Sequence, residues 1–342
     1  MRVAMYYNNR DIRIEEMPIP AIGPGEMLMR VEASGICGSD VLEWYRRSKA
    51  PLVLGHEVAG QVVKVGVGVS KYKIGDRIVA SHHVPCNTCY FCLTGHHTAC
   101  ETLRQTNFDP GGFSEYIRLP ALNVDRGVFV IPEELSYEEA TFHEPLGCVI
   151  RAQRIAGLNP GQSVLVLGSG IAGLLHILLA KASGAAKIMA VDIVPYRLKA
   201  AKRFGATEAL MASENITEFF RKINSGRLAD LVLVCTGAKE ALLQAMQSVE
   251  RGGTVLFFAP TNPGLEIPLS INQVFFRNDV TFTTSYGASP YDSYLALELM
   301  RSQVVRVKEM ITHRLPLEET ALGFKIVEEA KKSIKVIIEP QK

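Results

Sequence analysis

The chain has 342 residues, 47% of them hydrophobic and 21% charged, with a formal net charge of +2. That length suits roughly two domains of about 100–200 residues each, with a sizeable core. The charge balance gives no electrostatic case for nucleic acid or a membrane surface, and no apolar run approaches the ~18 residues of a membrane span. The start, Met1-Arg2-Val3-Ala4-Met5-Tyr6, lacks a signal-peptide core, so a cytoplasmic setting is expected. In a reducing compartment a close set of thiols points to metal rather than to disulfides, and four of the seven cysteines fall within fifteen residues.

In chain order, the opening reads as short β segments cut by turns. Ile12 to Glu15 and Met27 to Ala33 alternate, with Pro18, Pro20, Gly23, Pro24 and Gly25 between them. Val58 to Val69 is valine-rich with Gly60, Gly66 and Gly68, and a Gly75-Asp76-Arg77 turn precedes Ile78-Val79-Ala80. Many short strands with glycine corners predict a β-barrel-like domain. Among them lie Cys37-Gly38-Ser39-Asp40, read as a loop-to-helix turn, and Gly55-His56-Glu57 after the Pro51-led approach. With the distant Glu144, Cys37 and His56 offer a thiolate, an imidazole and a carboxylate, donors that a catalytic zinc takes while keeping a fourth position open. Ser39 also suits a helix N-cap.

Cys86-x2-Cys89-x2-Cys92-x7-Cys100 is the strongest local signal. Four thiolates at this spacing close an all-cysteine tetrahedron around a structural zinc, with no position left for substrate. An iron–sulfur cluster with this spacing usually carries proline after its last cysteine, where this chain has Glu101. His82, His83, His96 and His97 sit among polar loop residues and read as surface histidines.

Val164 to Leu167 is an apolar run suited to a strand buried on both faces. Gly168-Ser169-Gly170-Ile171-Ala172-Gly173 follows, and then an apolar helical stretch from Leu174 to Ser183. A strand, this glycine fingerprint and a helix together form a pyrophosphate cradle, with the helix N-terminus facing the phosphates. The next strand, Lys187 to Val191, ends at Asp192, whose carboxylate accepts from ribose hydroxyls and repels a 2′-phosphate, so NAD is expected over NADP. Arg197 reads as a ribose or adenine-edge contact. Asp230 to Val234 ends in Cys235-Thr236-Gly237, and Gly252-Gly253 leads into Val255 to Phe258. Cys148, Cys235 and His176 read as packing residues. Beyond Tyr286, helices are predicted over Tyr291 to Ser302 and Leu317 to Lys331, and strands over Ile311 to Leu315 and Lys335 to Glu339.

Gly55-His56-Glu57-x2-Gly60-x5-Gly66-x2-Val69, the four-cysteine loop and the glycine fingerprint together resemble the zinc-containing medium-chain dehydrogenase/reductase family over nearly the whole chain. Its sorbitol (polyol) and threonine dehydrogenase branches look nearest. The resemblance implies an α/β protein: a GroES-like β-barrel catalytic domain at 1–149 and 289–342, into which a Rossmann, doubly wound parallel-sheet NAD-binding domain at 150–288 is inserted. It implies a catalytic zinc on Cys37, His56 and Glu144, with Glu57 approaching the metal or supporting it from behind, and a structural zinc on Cys86, Cys89, Cys92 and Cys100. Gly168, Gly170, Ile171, Gly173, Asp192, Arg197 and Thr236 would hold the dinucleotide. Ser39 would hydrogen-bond the reacting oxygen. Where many members carry a proton-relay histidine three residues later, this chain has Leu42, which leaves water, the cofactor ribose or Glu57 for that task. Polyol-specific members tend to carry arginine before the tyrosine at Ser285-Tyr286.

The implied activity is oxidation of a secondary alcohol, a polyol or sugar alcohol, to the ketone with hydride transfer to NAD. L-threonine-type amino alcohol oxidation is the alternative, and a non-catalytic protein that holds zinc and a dinucleotide is a third reading. Trp44, Tyr45, Phe108 and Tyr286 are pocket candidates. The partners implied are a small-molecule alcohol and further copies of the chain, as a dimer or tetramer.

Overall fold

In the computed structural model, which describes residues 1–342, the alternating segments at the amino terminus become β1 (Arg2–Asn8) and β2 (Asp11–Glu16), an antiparallel hairpin. The strands β3 (Met27–Gly35), β4 (Leu52–Val53), β5 (Glu57–Val65), β6 (Arg77–Ala80), β7 (Tyr116–Leu119) and β8 (Val128–Val130) follow. An antiparallel ladder runs β3–β5–β6–β8, with β7 on the outer side of β3 and β4 against β1. Strand alternation turns Met27, Met29 and Val31 to one face, where they pack with Val58, Val62, Ile78 and Ile117. Each such side chain, fully buried, contributes about 1.5–3 kcal/mol.

The β3–β5 ladder matters most for function. It pairs Gly35 with Glu57, so the end of β3 and the start of β5 lie side by side. Register shifts interrupt the pair between Leu28 and Met29 and between Val31 and Ala33. Gly60 sits within this stretch, where any Cβ would overlap the carbonyl of Arg30.

The second segment of the chain builds a six-stranded parallel sheet: β9 (Ser163–Leu167), β10 (Lys187–Asp192), β11 (Glu208–Met211), β12 (Ala229–Val234), β13 (Val249–Phe257) and β14 (Thr281–Thr284). The order is β11-β10-β9-β12-β13-β14, a doubly wound sheet whose winding reverses between β9 and β12. Ligands bind at the carboxyl ends of strands at such a reversal. Every residue of β9 is buried, as its unbroken apolar run requires. The fourth strand pair differs from expectation: β13 begins at Val249, not Val255, and carries Gly252 and Gly253 within it. Gly252 has φ +74° and the ladder to β12 is irregular between Ala229 and Leu231, so the glycines lie in a bulge of the strand rather than ahead of it.

The chain then returns through the helix Pro290–Arg301, capped by a reciprocal Ser289–Asp292 box, to β15 (Ile311–Pro316) and β16 (Lys335–Glu339). β16 pairs with β3 and completes the first sheet. The helix predicted over Leu317 to Lys331 is a 3-10 turn at Leu317–Glu319 followed by a helix at Thr320–Glu329, which stops at Ala330 in the left-handed region (φ +53°). Two units result, Met1–Gly147 with Gly287–Lys342, and Cys148–Tyr286. No helix is long and apolar enough to cross a membrane.

Candidate metal and cofactor sites

Cys37 lies two residues beyond β3 and His56 immediately precedes β5, so the Gly35–Glu57 pairing brings them together despite their separation in sequence. The donor atoms of Cys37, His56 and Glu57 all lie within 4.8 Å of one another. A zinc with bonds of about 2.0–2.3 Å closes such a set with small side-chain movements. Glu144, expected as the third donor, stands half-buried in the first turn of the helix His143–Ala156 and is outside this group of three.

Three residues with no role read from the sequence complete the geometry. Asp40 is fully buried; its Oδ2 accepts from the Cys37 amide (3.0 Å) and its Oδ1 lies 3.4 Å from His56 Nδ1. That contact commits Nδ1 and leaves Nε2 as the ring nitrogen for a metal. Burial alone would push the His56 imidazole down, but the Asp40 carboxylate and the Cys37 sulfur outweigh it and hold it well above the ordinary histidine value. Lys335, the first residue of β16, is the second addition. It is 1% exposed, and its ammonium is ion-paired with Glu57 Oε2 and donates to the carbonyl of Ile36 (3.2 Å). Gly35 makes room for the pair, since a Cβ there would overlap both side chains. The third is Arg46, whose guanidinium bonds both Ser39 and Asp40. Ser39 is not the N-cap of the helix Glu43–Arg46; that position is Leu42, which makes no side-chain cap.

The histidine pair at 82 and 83, expected at the surface, is half-buried. The His82 ring lies 4.8 Å from that of His56 and 3.9 Å from that of His83, and its Nδ1 is buried without a partner. Burial pushes His82 well below the ordinary value, and His83 down to about 4. The positions follow from Asn123, whose side-chain amide donates to the carbonyls of Ser81 and His82 and draws this segment inward. His96 remains exposed and His97 half-buried. Phe108 is 4% exposed in the barrel core, whereas Trp44 and Tyr286 are exposed and the Tyr45 ring lies under Arg46 and Lys49.

In the cysteine loop, Sγ atoms stand 3.9 Å apart for Cys86–Cys92, 3.6 Å for Cys89–Cys92 and 3.7 Å for Cys86–Cys100. A tetrahedron of sulfurs about 2.3 Å from a zinc has edges of about 3.8 Å, so the loop is already shaped for the ion. Amides of Thr88 and Cys89 donate to Cys86 Sγ and hold its thiol well down, which favours the thiolate a metal needs.

The glycine fingerprint joins β9 to the helix Ile171–Ala182. Gly168 has φ +91°, and a Cβ on Gly173 would overlap the Gly168 carbonyl, so the helix start packs tightly on the turn. Gly170 caps the helix and a Cβ there would meet nothing nearer than the Arg197 guanidinium at 3.9 Å, leaving backbone amides open to a pyrophosphate. Thr236 lies beside Gly168, just past β12. Asp192 Oδ2 accepts from the Ser169 amide (2.7 Å) and Oδ1 from the Val194 amide (2.9 Å), with Arg197 3.9 Å away. The carboxylate is thus fixed at the end of β10, where a ribose would reach it.

Two family descriptions match the chain: Alcohol dehydrogenase GroES-like domain over residues 23–133, and Zinc-binding dehydrogenase over residues 172–302. A sorbitol dehydrogenase of Bacillus subtilis (strain 168) is 33% identical over 358 aligned positions, covering 100% of this chain and 98% of that protein. An L-threonine 3-dehydrogenase of Bacillus licheniformis is 34% identical over 92% of this chain and 91% of its own length. The solved structure of 2R,3R-butanediol dehydrogenase from Bacillus subtilis superposes with a TM-score of 0.87 at 29% identity, covering 99% of both chains. With a GroES-like barrel, a Rossmann sheet and relatives matched end to end, the chain belongs to the zinc-containing medium-chain dehydrogenase/reductase family.

Proposed function

We propose that this protein oxidises secondary alcohols of the polyol class to ketones, using a zinc held by Cys37 and His56 and a bound NAD. The observation that carries the proposal is the meeting of Cys37, His56 and Glu57 donor atoms within 4.8 Å, with Asp40 behind the imidazole. Relatives that act on sorbitol support the polyol reading.

When bound, zinc supplies the Lewis acidity that makes an alcohol's oxygen easier to deprotonate, and NAD supplies the hydride acceptor. The protein's own residues do the rest. Cys37 and His56 hold the ion, and Asp40 keeps His56 in one orientation through Nδ1. The third donor would be a carboxylate, from Glu57 or Glu144. Lys335 already engages the Glu57 carboxylate through Oε2, which favours Glu57 as support from behind and Glu144 as the remaining donor. Ser39, two residues from Cys37, hydrogen-bonds the reacting oxygen. Cys86, Cys89, Cys92 and Cys100 hold the structural ion. Gly168, Gly170, Ile171 and Gly173 receive the pyrophosphate, Thr236 borders that turn, and Asp192 takes the ribose with Arg197 at its edge. The chain acts in the cytoplasm as a homo-oligomer; the open edge strand β14 and the exposed Ile271 and Phe276 near it suit contact with another copy.

The test is NADH absorbance with NAD and NADP against polyols, amino alcohols including L-threonine, and simple secondary alcohols. NADH is expected from vicinal polyols. Threonine as the preferred substrate would replace polyol with amino alcohol, and no NADH from any alcohol in zinc-replete protein would sink the reading.

Cofactor choice is separately testable. Asp192→Ser removes an acceptor of charge-assisted bonds worth about 1.5–3 kcal/mol each, so KM for NAD is expected to rise about 10–100-fold. The same change lifts the repulsion of a 2′-phosphate and leaves Arg197 to meet it, so activity with NADP should rise. Steady-state kinetics with both cofactors checks it, and an unchanged NAD preference would remove Asp192 from the assignment.

A further inference from the structure

Leu42 stands where the family pattern leads to a histidine, and its side chain neither donates nor accepts a proton. A different group has reached Ser39. Arg46 Nη2 donates to Ser39 Oγ at 3.1 Å, and its Nε donates to the Ser39 carbonyl at 3.1 Å. Nη2 also lies 3.3 Å from Asp40 Oδ1, and the Arg46 side chain is only 14% exposed. Three contacts from one fork therefore clamp the Ser39–Asp40 turn. The neighbouring cations are engaged elsewhere, Arg47 with Glu43 and Lys49 over the Tyr45 ring.

We propose that Arg46 is a positioning residue that holds the Ser39 hydroxyl as a hydrogen-bond donor toward the reacting oxygen of the substrate. A serine hydroxyl has one proton and two lone pairs. A guanidinium is always charged and accepts nothing, so the Arg46–Ser39 bond runs in one direction, from N–H to Oγ. That bond occupies a lone pair and leaves the single O–H for a group that accepts. A histidine in contact with Ser39 could take the hydroxyl's proton and reverse the bond; Arg46 cannot. Arg46 thus gives up proton transport through Ser39 for a fixed donor backed by a permanent positive charge, aimed where negative charge grows on the oxygen. The alcohol's own proton leaves by a different route, to water or the cofactor ribose. Because the same fork grips Asp40, it also ties the hydroxyl to the turn that carries Cys37.

The inference rests on the reading of Ser39 as partner of the reacting oxygen. Its test compares S39A, R46M, R46K and S39A/R46M by kcat, KM, zinc content, and calorimetric affinity of the NADH-bound protein for an unreactive primary amide. The amide carbonyl accepts a hydrogen bond but has no hydride to lose. S39A and R46M are each expected to lower kcat about 10–100-fold and to weaken amide binding about tenfold, with KM for NAD and zinc content unchanged. The double variant should be no worse than S39A alone, because Arg46 acts through that hydroxyl. R46K, which keeps a charged donor, should recover most of the loss and decides the matter if R46M does not accumulate. The inference is overturned if R46M loses as much in the S39A background as alone. It is also overturned if R46K is as impaired as S39A, or if R46M loses zinc in step with kcat, which would assign Arg46 to Asp40 instead. An unimpaired S39A overturns the reading of Ser39 itself, whereas an impaired S39A beside an unimpaired R46M overturns only the role of Arg46.

Discussion

Cys37→Ser is expected to bring turnover to background while the rest of the molecule stays loaded. The thiolate is one of the donors within 4.8 Å at the end of β3, and serine is a poor zinc ligand at that reach. Losing the ion removes several kcal/mol of charge stabilisation at the reacting oxygen, a fall of at least about 10³-fold. The cysteine loop is built from a separate stretch, Cys86 to Cys100, and the fingerprint at 168–173 from another. Metal analysis should therefore fall from two zinc ions per chain to one, and NADH binding by fluorescence titration should be unchanged. His56→Ala should do the same. Turnover that survives either substitution, with the cysteine-loop ion as the sole metal, would remove the proposed centre.

Lys335→Met should cost the protein stability on a comparable scale. The lysine and Glu57 side chains are 0% and 1% exposed and face each other inside the first unit. Removing one partner of a buried pair leaves the other charge without compensation, typically at about 3–5 kcal/mol. The loss should be greatest in metal-free protein, because a bound cation gives the Glu57 carboxylate a second partner. Denaturant melts of metal-free and zinc-loaded protein would show this as a larger gap between the two forms in the variant than in the parent. Glu57→Gln combined with Lys335→Met should recover much of the metal-free loss, since the orphaned charge goes with it. A metal-free loss under about 1 kcal/mol would mean that the ion pair is not held as tightly as its burial suggests.

Those two substitutions also mark where sequence reasoning succeeds and where it stops. That Cys37 and His56 would meet is legible because thiol and imidazole donors are scarce and stand beside glycines that force tight turns. The Rossmann sheet is legible because an all-apolar strand, a glycine fingerprint and a terminal acid repeat one physical unit in order. Lys335 is not legible: a lysine at the head of an apolar strand ordinarily marks the end that reaches water. It is buried here only because β16 is laid against β3, and that pairing joins residues some three hundred positions apart. Arg46 reads in sequence as one of several basic residues on a solvated turn, and only the fold of residues 37–40 puts a hydroxyl and a carboxylate under its fork. Asp40 carried a faint signal, a short acid three residues past a candidate ligand, where it can reach back to the Cys37 amide. His82 and His83 read as surface residues because loop composition carries no trace of Asn123, whose amide pulls that loop inward.

The route by which β16 closes the first sheet sets an order of assembly during synthesis. The four-thiol loop lies within fifteen consecutive residues and can capture its ion soon after leaving the ribosome. The other centre cannot be finished then, because Lys335, the cation that neutralises Glu57, lies 278 positions after it in the chain. A growing chain would therefore hold a complete four-thiol loop well before β16 arrives to pair Lys335 with Glu57, and chains cut short before β16 would lack that cation.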